Sequence, residues 1–140
     1  MACTLRAGGK YFDVDSFLSK SKLRPAAIFR RGEPRASHNP KSKKLAHSGI
    51  NVGVSNASFE NFTRQIRDAI QFLIKNKTEI QKLTRYKGVE GVELDFATAR
   101  ERDTFLQEYI FPAELIALAC KLGLEIRLSA YPPSAEKKNT

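Results

Sequence analysis

The sequence contains no tryptophan, one methionine, two histidines and two cysteines, and it has no long hydrophobic run. No segment approaches the roughly 18 consecutive apolar residues that a membrane-spanning helix requires. The N-terminal residues lack the apolar core of a secretory signal peptide, and two cysteines cannot form the disulfide framework of a small secreted domain. These absences argue against a membrane protein or a disulfide scaffold, and they predict a cytoplasmic protein with two free thiols.

Acidic residues are scarce in the first part of the chain. The sequence has 24 Lys and Arg residues against 15 Asp and Glu, which gives a formal net charge of +9. Residues 1–50 contain 11 basic and three acidic residues, whereas residues 51–140 contain 13 and 12. The basic charge is therefore local, and it predicts an anionic partner for the N-terminal part of the protein.

The length and hydrophobic content indicate one folded domain. A chain of 140 residues, 41% of them hydrophobic, can bury one core but is too short for two domains of ordinary size. Residues 1–133 are predicted to form this domain. Residues 31–48 have almost no apolar periodicity and predict a basic loop without regular structure, and residues 134–140 predict a flexible C-terminal tail.

Apolar periodicity predicts the elements of the fold. Alternating apolar and polar residues predict five strands, near residues 3–7, 26–30, 49–55, 92–96 and 124–130. Helical spacing predicts a short helix near residue 14, a helix capped by Ser58, a break at Asn76, and a helix from Pro112 to Gly123. Asn76 and Glu79 are spaced to cap the helical segment after the break.

This order predicts an α+β fold. We expect a single mixed, largely antiparallel five-stranded sheet with helices packed mainly on one face, in the order β-α-β-β-α-α-β-α-β. Because every strand alternates, the other face of the sheet should be partly solvated. A split β-α-β arrangement with one extra helix and strand is the predicted topology.

Residues suited to catalysis are few. Glu93 and Asp95 lie on one face of a predicted strand and could serve a metal-dependent hydrolase, but a cross-strand ion pair with Arg127 is the ordinary alternative. His38 and His47 do not have zinc-site spacing with either cysteine, and Cys120 falls in a pattern typical of a buried residue. We therefore predict no catalytic residue, no metal and no cofactor.

Basic residues of the predicted loop form the main candidate binding site. The density of positive charge in this segment predicts binding to an acidic protein surface or to a nucleic acid, and a solvated loop without a specific partner is the alternative. No aromatic residue lies between Phe29 and Phe59, which disfavours base stacking and hence a nucleic acid. The candidate site residues are Arg30, Arg31, Arg35, His38, Lys41, Lys43, Lys44 and His47.

Two segments of the C-terminal half resemble known proteins. They are residues 88–96 (GVEGVELDF) and residues 111–132 (FPAELIALACKLGLEIRLSAYP). They resemble small bacterial cytoplasmic proteins of unknown function, some of which look like immunity proteins of toxin systems. The resemblance covers roughly the C-terminal half and implies no catalytic residue. Since immunity proteins are often acidic, a basic member would imply a toxin with an acidic surface.

The leading hypothesis is a non-enzymatic cytosolic binding protein of immunity or adaptor type, which engages an acidic protein surface through the basic loop. The alternative is an RNA- or DNA-binding protein that uses the same residues. A metal-dependent hydrolase using Glu93 and Asp95 is a third hypothesis.

Overall fold

The structure, a computed structural model, describes residues 1–133, which contain one five-stranded sheet and four helices. The predicted α+β class and element order are confirmed. The predicted tail, residues 134–140, lies outside the described residues. In chain order the elements are β1 (Cys3–Gly9), α1 (Val14–Leu18), β2 (Ala27–Phe29), β3 (Ser48–Ser55), α2 (Phe62–Lys75), α3 (Lys77–Thr84), β4 (Gly91–Ala99), α4 (Ala113–Leu122) and β5 (Glu125–Tyr131).

The strands are arranged in the order β2-β3-β1-β4-β5. β1 is antiparallel to both β3 and β4, β2 is antiparallel to β3, and β5 is parallel to β4. Consequently β1 and β2 run parallel with β3 between them, and β3 and β4 run parallel with β1 between them. These are two interleaved split β-α-β units, and α4 with β5 adds the extra strand that the sequence predicts.

One face of the sheet carries the hydrophobic core. Its strands contribute alternate residues such as Leu5, Ile50 and Leu94, which are at most 1% exposed. Helix residues spaced by three or four positions, such as Leu73 in α2 and Leu115 in α4, join the same cluster. The opposite face carries the charged residues of the strands. This division confirms the alternation read from the sequence for β1, β3 and β4, whereas the edge strands β2 and β5 have no buried residue.

The long helical region breaks at Asn76, as predicted, but the capping contacts differ. The Asn76 side-chain amide donates to the Phe72 carbonyl at 3.0 Å and so closes the end of α2, without capping α3. The N-cap of α2 is Asn61, whose side chain accepts from Arg64 N, and the predicted cap Ser58 is wrong. The Ser58 carbonyl instead accepts from Asn61 N, in a turn that precedes the helix.

The two cysteines are free and differ in burial. Cys3 lies in the core, and burial, followed by the nearby Asp95 carboxylate, raises the pKa of its thiol to about 12. Cys120 is exposed, so its predicted place in the core is wrong. In α4 the buried positions are Leu115, Ala119 and Leu122, and Cys120 lies about 100° around the helix from Ala119.

Close backbone contact at one end of β1 requires glycine. Gly88 adopts a φ of 91°, and a Cβ atom there would overlap the carbonyl group of Tyr11. A Cβ atom on Gly9 would in turn overlap the Gly88 carbonyl oxygen. The β1–α1 turn therefore packs against the segment that leads into β4, and only residues without side chains allow this approach.

Gly88→Ala should lower the free energy of unfolding by at least about 1–3 kcal/mol, the usual cost of a left-handed non-glycine residue, with the overlap adding to it. Gly91→Ala is the matched control, since nothing lies within 4 Å of a Cβ atom there and its φ is not positive. Urea denaturation measures both variants. Equal stability of the two would contradict the close packing described above.

Glu79 ties the α1–β2 connection to α3. Its carboxylate accepts from Lys22 N at 3.0 Å and from Ser21 Oγ at 2.9 Å, and it lies 3.0 Å from Lys82 Nζ. These donors, the Lys22 backbone N–H foremost, lower the pKa of Glu79 from 4.5 to about 2. The ionised form of Glu79 is thus the one that holds these segments together.

Glu79→Gln should be less stable than the wild type at neutral pH. Because the pKa of Glu79 is lower in the folded than in the unfolded state, its stabilising effect is complete above about pH 4.5 and is lost as the pH falls towards about 2. Urea denaturation over this range should show the two proteins converging in acid. Glu108→Gln, at an exposed position, should follow the wild type throughout. A difference in the free energy of unfolding between the two proteins that does not change with pH would refute this role of Glu79.

Candidate docking site on a basic hairpin arm

Residues 30–47, here called the basic arm, extend the β2–β3 hairpin beyond the sheet. Gly32 N donates to Leu45 O, Leu45 N to Glu33 O and Arg35 N to Lys43 O, each at 2.9 Å. The segment contains no helix or strand, as the sequence predicts, but these hydrogen bonds and an isolated bridge between Pro34 and Lys44 pair its two sides. The pairing escapes periodicity analysis because it depends on the register of two strands, not on a buried face.

The tip of the basic arm is closed by its own turns. Asn39 N donates to Ala36 O at 2.9 Å, and Ser42 N donates to Asn39 O at 3.0 Å. The Ser42 hydroxyl accepts from Ala36 N at 3.0 Å, and the Asn39 side chain accepts from Lys41 N at 3.1 Å. Side chains of Ser and Asn commonly stabilise turns in this way. The cations around the tip therefore project from a defined backbone.

The candidate site residues divide into two groups. Arg30 and His47, at the base of the arm, contact carboxylates: Arg30 makes two hydrogen bonds to Asp15, at 2.8 and 3.0 Å, and His47 Nε2 lies 3.9 Å from Glu90. The other six are exposed and have no ion pair within residues 1–133. These six are Arg31, Arg35, His38, Lys41, Lys43 and Lys44.

The Arg30–Asp15 contact attaches the arm to α1. The Arg30 guanidinium hydrogen-bonds the Asp15 carboxylate, which lowers the pKa of Asp15 and raises that of Arg30. Asp15 lies in the first turn of α1, so one end of the arm is held against the body of the protein. Arg30 is thus paired with a carboxylate of its own chain and helps to position the arm.

The fold places an aromatic residue beside the basic arm, which the sequence pattern does not predict. Tyr11, in the turn after β1, is 72% exposed. The Arg31 guanidinium lies 5.2 Å from its ring centroid, and Lys10 Nζ lies 5.4 Å from it, both within cation–π range. Twenty positions separate Tyr11 from Arg31 in the sequence. The only sequence signal was an aromatic residue directly after the turn Gly8-Gly9-Lys10.

Glu93 and Asp95, the alternative catalytic pair, are engaged in ion pairs on the open face of the sheet. The predicted Arg127–Glu93 pair is confirmed at 3.0 Å. Asp95 accepts from Arg6 Nε at 3.1 Å and from Ser129 Oγ at 2.6 Å. Beside Glu93 lies an open concavity of about 340 Å³ over the glycines that end β1 and begin β4. Within residues 1–133, no group of three or more His, Cys, Asp or Glu residues could hold a metal ion.

None of the described helices has the length and apolar character needed to cross a bilayer.

The two ion pairs on the open sheet face should differ in strength. Arg6→Met should lower the free energy of unfolding by about 1–3 kcal/mol, because Asp95 is only 8% exposed and would lose a charged donor. Arg127→Met should cost only about 0–1 kcal/mol, since the Arg127 side chain is 61% exposed. Urea denaturation of both variants measures these changes. Equal decreases in the free energy of unfolding would contradict the expected difference.

No protein-family model matches this chain, and neither a curated protein nor a solved structure is found to be similar to it. The resemblance to bacterial immunity proteins therefore stays a prediction, and a function has to be inferred from the surface of the molecule itself.

Proposed function

We propose that this protein is a non-enzymatic binding protein that docks its basic arm on an acidic surface of a protein partner. The observation that carries this proposal is a cluster of exposed cations on one hairpin, with no ion pair within the described residues: Arg31, Arg35, Lys41, Lys43 and Lys44. Cations that are not neutralised within their own chain are available to a partner, and they also speed its association.

The backbone of the arm favours specific docking. Three hydrogen bonds between its strands and the turns at its tip define where the cations lie relative to one another. An ordered arm loses less conformational entropy on binding than a structureless loop. The Arg30–Asp15 contact adds to this order at the base of the arm.

A toxin with an acidic surface is one partner of this kind, in keeping with the resemblance of the C-terminal half to immunity proteins. We place the interaction in the cytoplasm, because both cysteines are free thiols in the structure and Cys120 is exposed.

Binding of single-stranded nucleic acid is the second candidate, and Tyr11 is the observation that favours it. A largely exposed ring flanked by two cations is suited to stack on a base while Lys10 and Arg31 contact phosphates. The protein partner remains preferred, because Tyr11 is a single ring at the base of the arm and most of the exposed cations lie beyond it.

The test compares two polyanions on the full chain by fluorescence anisotropy. The probes are a labelled 20-residue polyglutamate peptide and a labelled single-stranded DNA 20-mer of random sequence. Lys41→Ala, Lys43→Ala and Lys44→Ala together should weaken polyglutamate binding on the order of tenfold at low salt. The matched control removes three exposed cations elsewhere, by Arg67→Ala, Lys75→Ala and Lys121→Ala.

The outcomes separate the two candidates. Loss of polyglutamate binding in the arm variant but not in the control supports the acidic protein partner. DNA binding that is tighter than polyglutamate binding, falls on Tyr11→Ala and recovers in Tyr11→Phe supports the nucleic acid instead. In that case the arm variant should also lower the slope of log affinity against log salt by about 2. Equal losses in the arm variant and the control would overturn both candidates.

A further inference from the structure

A second cationic feature lies apart from the basic arm, where the end of α1 approaches the end of α3. Here a concavity of about 360 Å³ is lined by Phe17 and Tyr86 and by four basic residues, Lys20, Lys82, Arg85 and Lys87. Its volume is within the range of small-molecule sites.

The aromatic part of the pocket wall is Tyr86, which is partly exposed, and Phe17, which is 2% exposed, supports it from the core. The ring centroids of Phe17 and Tyr86 are 5.2 Å apart in an edge-to-face arrangement, and Phe12 packs edge-on against both. The Tyr86 hydroxyl is hydrogen-bonded to Ser16 Oγ at 2.5 Å. The wall is thus held by ring packing and by a polar contact at its far end, so that the pocket exists without a ligand to shape it.

The charges around the pocket are not balanced within the described chain. Only Lys82 has a carboxylate partner, Glu79, at 3.0 Å. The side chains of Lys20, Arg85 and Lys87 form no ion pair within residues 1–133. These exposed cations produce a positive field beside Tyr86 that attracts an anion.

We propose that this pocket binds a small aromatic anion, a single ring that carries one phosphate or carboxylate group. The ring packs on the exposed part of Tyr86, with the buried Phe17 behind it, and the acidic group lies among Lys20, Arg85 and Lys87. The aliphatic stems of the lysines enlarge the apolar surface, while their ammonium groups stay at the rim. The pocket and the basic arm share no residue, so this site is independent of the docking function proposed above.

The test uses phenyl phosphate as the probe, with inorganic phosphate and phenol as its separate parts. Titrations of the 15N-labelled full chain are followed by NMR. Phenyl phosphate should bind more tightly than either part and should shift the amide signals of residues 16–20 and 82–87. If inorganic phosphate or phenol binds as tightly as phenyl phosphate, or if the shifts map to the basic arm, the proposal is overturned.

Substitutions then locate the site. Arg85→Gln and Lys87→Gln should each weaken phenyl phosphate binding about fivefold or more, since each removes a charged donor and keeps most of the side chain. Arg67→Gln, at an exposed position on α2, should leave the affinity unchanged. Equal weakening by Arg67→Gln and Arg85→Gln would show a diffuse charge effect and refute the site. The triple arm variant should bind phenyl phosphate as the wild type does, so that failure of one proposal is distinguishable from failure of the other.

Discussion

β1 lies at the centre of the sheet and is paired on both sides, with β3 along one edge and with β4 along the other. This double pairing joins the two split β-α-β units, since each unit has a strand of the other inserted between its own strands. The same pairing sets the place of the candidate site. Gly9 at the end of β1 lies opposite Ser48, where the basic arm returns to the sheet. Tyr11 follows two residues later and therefore meets Arg31 at the base of the arm.

Charged residues have ion-pair partners on the open sheet face but mostly lack them on the basic arm and around the pocket. On the open sheet face, Glu93 and Asp95 find cations on neighbouring strands, which neutralises the carboxylates nearest to the core. On the basic arm and around the pocket of α1 and α3, the cations lie on surfaces with few carboxylates. Paired charges help to hold the sheet together, whereas unpaired charges produce an electrostatic field that attracts a partner of opposite charge. Within the described residues, five exposed cations thus lie on the basic arm and three more lie around the pocket.

Most of the architecture was predictable, because the three central strands and the helices each bury one stripe of their own residues. Neighbouring residues along the chain are enough to predict the alternation in β3 and β4. They are also enough to predict the positive φ of Gly123 after α4. The wrong predictions concern choices between adjacent residues. Ser58 and Asn61 are both good caps, and the turn that precedes α2 decides between them. Cys120 adjoins the buried Ala119, and only the rotation of α4 against the core turns Cys120 to solvent.

The fold class, the order of the elements, the break at Asn76 and the position of the basic segment can all be predicted from the sequence. These properties depend on local periodicity and composition, and they do not require contacts with distant residues. Three features are visible only in the folded chain: the two sides of the basic segment are paired, Tyr11 lies beside that segment, and Lys20 lines one pocket with Arg85 and Lys87. Tyr11 and Arg31, and likewise Lys20 and Arg85, are far apart in the chain, and the pairing within the arm depends on the register of its two sides. Strand register and helix packing set these contacts, and periodicity does not encode them.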